Sequence, residues 1–353
     1  MESNLNPFKI KIEPIKKEFI DLAWRRLDNL TKPPRSLGRL EEVAARLVAI
    51  YENPMPEIKK KAVFVFASDH GVTKEGVSAY PKEVTAQMVF NFLRGKAGIN
   101  VLARHAGADV LVVDVGVDYD FGEVQGLINK KIVKGTANMV SGPALTYEQA
   151  LKSIQIGIDL VREYYYYGYN LFATGEMGIG NTTPSSAVVS ILTKCKVEEV
   201  TGRGSGIDEI VFRRKVEVIK KAIAINNPIS SDPIDVLAKV GGPEIGAMAG
   251  VVLGCAELKI PVVIDGFIST AGALIAYCIN SNVKDYIFAS HNSVERGHKK
   301  VLDFMGLEPL LDLNLRLGEG TGAALAMTII EASLKIYREM ATFEEAGVSK
   351  GDK

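Results

Sequence analysis

The chain has 353 residues, 47% hydrophobic and 24% charged, which is the make-up of a globular protein with room for one large domain or two ordinary ones. Its 42 basic and 42 acidic residues cancel, so no general pull toward nucleic acid or an anionic membrane is expected. Three cysteines (Cys195, Cys255 and Cys278) stand in apolar contexts without metal-like spacing, and Met1 to Phe19 lacks the apolar segment of a secretory signal. Reduced thiols and a cytoplasmic location are therefore expected.

From the N-terminus, residues 15–52 read as helices interrupted by Lys32-Pro-Pro-Arg-Ser36. Short β-branched apolar runs follow at 62–67, 109–114, 170–174, 261–265, 286–289 and 311–317. Between them, 84–93, 147–166, 212–225 and 270–279 carry helical periodicity, and 323–345 reads as a closing helix. The region 261–279 is apolar but interrupted by Asp265 and small polar residues, so no membrane span is expected. Alternating strand and helix signals predict an α/β fold, doubly wound, with a mainly parallel sheet covered by helices. Residues 1–58 and 330–353 are expected to form a small helical subdomain, and 59–329 the large α/β domain.

Most of the expected strands end in polar or glycine clusters, which in such a sheet converge on one cleft. In Gly175-Glu-Met-Gly-Ile-Gly-Asn-Thr-Thr-Pro184 a strand passes through glycines into a helix start marked by Pro184. Backbone N–H groups at such a start favour an anion, and Glu176 adds an acid beside it. This suggests chemistry next to a phosphorylated sugar. Leu317-Gly-Glu-Gly-Thr-Gly-Ala-Ala-Leu325 repeats the device. Read alone it is a degenerate dinucleotide fingerprint, a close-packing turn, or a carboxylate, Glu319, presented as general base. Thr201-Gly-Arg-Gly-Ser-Gly-Ile-Asp208 is a third glycine turn, and Lys215 behind it is either a phosphate ligand or part of a solvated helix face. The segment 76–88 offers Tyr80, Pro81, Val84, Gln87 and Met88 as a surface for an aromatic base, or as ordinary core. Asp69, His70, Asp265, Ser290 and His291 are further cleft candidates. His291 and His298 lack a third partner with metal-like spacing, so no metal is expected.

Taken together, Lys32 to Glu41, Asp69-His-Gly71, Gly76 to Met88, Gly175 to Pro184, Lys239-Val-Gly-Gly242, Asp265-Gly-Phe267 and Leu317 to Ala324 resemble the nicotinate-nucleotide–dimethylbenzimidazole phosphoribosyltransferases of cobalamin lower-ligand biosynthesis, in order and over nearly the whole chain. The resemblance implies attack of a 5,6-dimethylbenzimidazole nitrogen on C1′ of nicotinate mononucleotide, giving nicotinate and α-ribazole 5′-phosphate with inversion, without cofactor or metal, in a homodimer. It implies Glu319 as the base and Glu176 as the second acid near the sugar. Gly178, Ile179, Gly180, Asn181, Thr182, Gly202, Gly204, Ser205 and Lys215 would form the phosphate and nucleotide site. Tyr80, Pro81, Val84, Gln87, Met88 and Leu317 would form the base pocket. Arg35 stands where many members have glycine. The competing readings are an NAD-dependent oxidoreductase using Gly318 to Gly322, and a non-catalytic nucleotide-binding protein of the same fold.

Overall fold

The computed structural model describes residues 7–204 and 206–349. Seven parallel strands form its sheet: β1 (Lys60–Ser68), β2 (Asp109–Gly116), β3 (Leu127–Asn129), β4 (Tyr169–Met177), β5 (Val262–Ile264), β6 (Ile287–His291) and β7 (Pro309–Leu311). Their order is β3-β2-β1-β4-β5-β6-β7. The chain winds outward from β1 to β3, then returns to β4 on the other side of β1. The α/β, doubly wound architecture is thus the one expected, and its switch point lies between β1 and β4, where ligands bind beyond the strand ends. β1 is buried along all but its first residue, because helices cover both faces of the sheet. Phe64 stacks on Phe172 of the adjoining strand at 5.4 Å between ring centres.

The helices are α1 (Lys17–Leu27), α2 (Arg39–Ile50), α3 (Glu83–Leu93), α4 (Gly98–Ala106), α5 (Tyr147–Tyr166), α6 (Thr182–Thr193), α7 (Val197–Val200), α8 (Glu209–Asn226), α9 (Pro233–Val240), α10 (Pro243–Glu257), α11 (Phe267–Ile279), α12 (Arg296–Met305), α13 (Thr321–Glu339) and α14 (Phe343–Ala346). Among the described residues no helix is long and apolar enough to cross a membrane. α5 and α10 cross backbone to backbone: a Cβ at Gly157 would lie 2.0 Å from the Ala247 carbonyl oxygen, and one at Gly250 would lie 1.9 Å from that of Ile154.

The chain ends meet. Leu30 bridges Thr342, Arg26 Nε donates to the Tyr337 carbonyl at 2.8 Å, and α2 packs on both α1 and α13. The Lys32 motif is folded by a buried ion pair from Lys32 to Glu41 at 3.0 Å. We propose that these terminal helices form the small subdomain; α13, unbroken through residue 330, would join it to the α/β body.

Two local expectations need correction, and one strand was not expected. The strand expected over 311–317 ends at Leu311, and the segment after it is irregular. Its alternating leucines imitate a strand, but Leu313 and Leu317 are exposed and Asn314 has a φ of 54°. In the other direction, β4 runs on through Met177, so Glu176 stands on a strand rather than in a loop. Finally, β3, a short edge strand, carries too little pattern to be seen in the sequence.

Candidate active site

A cavity of about 470 Å³ opens beyond the strand ends. Tyr80, Val84, Met88 and Leu317 give it an apolar lining, while Gly178 to Thr182, Gly204 and Lys215 give it a polar one; Glu176, Glu319 and His291 also line it. Tyr80, Val84 and Met88 recur every four residues on α3 and the turn before it, which sets them on one face. Pro81 and Gln87 fall on the exposed side of that segment and are not in the wall. Gly202 lines an adjoining groove instead. Ser205 lies outside the described residues.

The two acids occupy one wall. Glu176, at the end of β4, is 7% exposed, and burial pushes its carboxyl up to about 8 against the lowering effect of its hydrogen bonds. Asn181 Nδ2 donates to Glu176 Oε2. Asn181, expected in the phosphate site through its backbone, lines the cavity, and its side-chain amide holds the acid. Glu319 is 6% exposed, and its Oε2 accepts the Ile99 N–H at 3.0 Å, in the first turn of α4. Burial raises the Glu319 carboxyl, the Ile99 bond opposes this, and the charge of Asp265 adds to the rise. Burial of a carboxylate favours its neutral, proton-holding form. Two acids raised in this way hold their protons to higher pH than free carboxyls do, which suits them to proton transfer.

The turn that carries Glu319 is demanding. Gly318, Glu319 and Gly320 have φ values of 85°, 62° and 94°, all in the left-handed region. A Cβ at Gly318 would fall 2.3 Å from Glu176 Oε1, and one at Gly175 would fall 2.3 Å from the Glu319 carbonyl oxygen. These glycines let the end of β4 touch the Glu319 turn.

The polar lining centres on the start of α6, which no side chain caps. Lys215 reaches it from α8: Nζ donates to Thr182 Oγ1 at 2.7 Å and to the Gly202 carbonyl at 3.4 Å. The lysine is 1% exposed, so the solvated-face reading of Lys215 falls, and burial lowers its ammonium to about 8. A cation without water beside an uncapped helix start is arranged for an anion.

Four of the remaining cleft candidates lie behind the wall. Asp69 is buried and accepts the Asp118 N–H at 2.8 Å. His70 Nε2 lies 2.9 Å from Glu244 Oε1, both wholly buried, beneath Gly178. Ser290 Oγ bonds His291 Nδ1 at 2.9 Å, which orients the histidine that does line the cavity. Asp265 accepts the Gly320 N–H and the Ala323 N–H, each at 3.1 Å, and so closes the start of α13. Those are the amides a dinucleotide pyrophosphate would need, and no strand leads directly into the turn, so the Gly318 to Gly322 fingerprint reading fails. His298 uses both ring nitrogens: Nδ1 accepts the Ser293 N–H, and Nε2 faces Thr270 Oγ1, both at 3.0 Å. Burial drops it to about 3, leaving it neutral.

Arg203, Ile268, Ser293, Glu295 and Arg316 also line the cavity. Ser293 and Glu295 sit inside a stretch singled out only for its histidines, and nothing local marks Ile268 or Arg316.

Residues 12–348 match the family described as Phosphoribosyltransferase. The chain belongs to this phosphoribosyltransferase family. A relative from Geobacter sulfurreducens, named nicotinate-nucleotide–dimethylbenzimidazole phosphoribosyltransferase, is 59% identical over 342 residues, 97% of each chain. One of the same name from Desulforamulus reducens is 53% identical over 97% of each. A crystal structure of an enzyme of that name from Thermus thermophilus superposes with a TM-score of 0.90 at 47% identity, covering 96% of this chain and all of the other. This phosphoribosyltransferase thus matches its relatives across nearly its whole length.

Proposed function

We propose that this phosphoribosyltransferase moves the 5-phosphoribosyl group of nicotinate mononucleotide to 5,6-dimethylbenzimidazole or a related base. The products are nicotinate and α-ribazole 5′-phosphate, inverted at C1′. One observation carries the reading. Two buried carboxylates, Glu176 and Glu319, both line a cavity whose lining is apolar in one set and phosphate-like in another.

In this reading the nucleotide phosphate sits at the start of α6 with Lys215 as its cation, and the acceptor ring lies against Tyr80, Val84, Met88 and Leu317. The nicotinate ring leaves as a neutral pyridine nitrogen, taking the C1′–N electron pair, so its departure discharges a pyridinium. Positive charge then builds on the ribose as an oxocarbenium-like state. The arriving pyridinium favours ionised Glu176, whose negative charge faces the charge that develops. The acceptor nitrogen bonds to C1′ while Glu319 removes the N–H proton from the opposite ring nitrogen. The same reading makes the protein a cytoplasmic homodimer, which sedimentation and cell fractionation test.

The experiment is a product assay with nicotinate mononucleotide and 5,6-dimethylbenzimidazole, each omitted in turn. Nicotinate and α-ribazole phosphate should appear together and only when both substrates are present. Nucleotide binding without product for any base of a panel would leave the non-catalytic reading in its place.

A further inference from the structure

The proposed chemistry leaves one carboxylate of the cavity unused. Glu295 follows β6 at the N-cap position of α12, yet its side chain caps nothing there. It lines both the cavity and the adjoining groove formed by Thr201, Arg203, Phe212, Arg296 and Arg316. Its Oε2 is buried and accepts no hydrogen bond from any described residue. That oxygen rests directly on Gly202, where a Cβ would fall 1.6 Å from it. Lys215 holds the carbonyl of the same glycine, and a Cβ at Gly204 would lie 3.6 Å from Lys215 Nζ. A buried ammonium and a buried carboxylate oxygen therefore meet across one glycine. Opposite charge lowers the cost of keeping Lys215 ionised out of water, and the Glu295 charge does pull its ammonium upward against burial.

We propose that Glu295 is the internal counterion of the phosphate subsite, balancing Lys215 when no anion is bound and weakening the hold on phosphate so that the phosphorylated product leaves. The proposal rests on the reading of Lys215 as the phosphate cation. A dianion entering beside Lys215 meets a carboxylate whose Oε2 has no hydrogen-bond donor among the described residues to shield it, and like charges at close range repel strongly. Arg296 and Arg316 in the groove give the displaced carboxylate somewhere to turn.

Calorimetric titration of inorganic phosphate into the full chain tests this, with Glu295→Gln, Glu295→Ala and Lys215→Ala alongside. Both Glu295 variants should bind phosphate about tenfold tighter than the parent, on the scale of one removed charge clash. Their KM for nicotinate mononucleotide should fall in step, their KM for the dephosphorylated nucleoside should not, and kcat should drop as release slows. Should one variant fail to fold, the other decides, since both lose the charge. Unchanged or weaker phosphate binding overturns the proposal, as does an equal gain for the nucleoside. Unchanged phosphate binding in Lys215→Ala would instead remove the subsite reading beneath it, whatever the Glu295 variants do.

Discussion

The turn that carries Glu319 rests on Glu176: a Cβ at the adjoining Gly318 would fall 2.3 Å from Glu176 Oε1, so one acid of the site packs against the backbone that presents the other. The contact matters because Glu319 occupies a left-handed conformation that costs a non-glycine residue about 1–3 kcal/mol. Asp265 secures the next residue through Gly320, and Ile99 fixes the Glu319 carboxylate itself. The proposed base is thereby held at its backbone and at one oxygen, which leaves the second oxygen for a substrate proton.

Glu319→Gln keeps the Ile99 acceptor and the shape of the turn while removing the base. Turnover should fall about 100-fold or more, the usual scale for a general base, with nucleotide affinity retained. Steady-state kinetics beside direct nucleotide binding checks this. Unchanged kcat would move the base elsewhere in the wall.

The pH dependence should be a narrow bell. Glu176 is held near 8 and must ionise to face the developing cation, so kcat/KM should climb with pH toward that value. Lys215, also near 8, loses its charge on the way up, so nucleotide capture should fall beyond it. Lys215→Arg, whose guanidinium stays protonated, should extend the basic limb, whereas Lys215→Ala should raise the KM for nucleotide far more than for nucleoside. Stability carries its own sign. The folded Glu176 carboxyl binds its proton more tightly than the unfolded one does, so the native state holds the extra proton between about 4.5 and 8. Stability should therefore fall as pH rises through that window. Glu176→Gln should flatten this part of the melting curve against pH while lowering kcat.

Gly318→Ala tests the contact between the Glu319 turn and the end of β4. The added methyl would meet Glu176 Oε1 at 2.3 Å in a backbone conformation that alanine disfavours. The acid must move or the turn must open. Turnover should drop at least about tenfold, because misplacement of roughly 1 Å in a site costs that much or more. A variant with normal kcat and a shifted melting temperature would limit Gly318 to a folding role.

How far the sequence carries depends on what each segment shows to its neighbours. The glycine-rich segments were readable because Gly175 is demanded by a backbone contact and Gly318 and Gly320 by left-handed φ values and close side chains, and few other residues meet that demand. α5 was readable because one face is buried and the other exposed. α10 was not, because it is buried on all sides and carries no polar stripe; its glycines serve close packing against α5 instead. The roles of Asn181 and Asp265 were hidden for a different reason. Only the fold shows that the Asn181 side-chain amide is spent on Glu176 while the residue lines the cavity, and that the Asp265 carboxylate is spent on the start of α13. Glu295 needed three dimensions too, because its partner Lys215 lies on another helix and meets it only across Gly202.

Asp265→Ala separates the structural and electrostatic work of a buried aspartate. It accepts two backbone N–H groups at the start of α13, and leaving them unpaired in the interior should cost about 1–3 kcal/mol, seen as a lower melting temperature. Its charge also pushes Glu176 and Glu319 upward. Removing it should lower both carboxyls and carry the acid limb of kcat/KM to lower pH, even as the loosened Glu319 turn reduces kcat. Asp265→Asn keeps the shape and accepts only one of the two bonds well, so it should show the same shift of the limb with a smaller loss of stability. A limb that stays in place in both variants would mean that Asp265 holds its own proton in the working enzyme, as its burial favours, and acts on the two glutamates only through the turn.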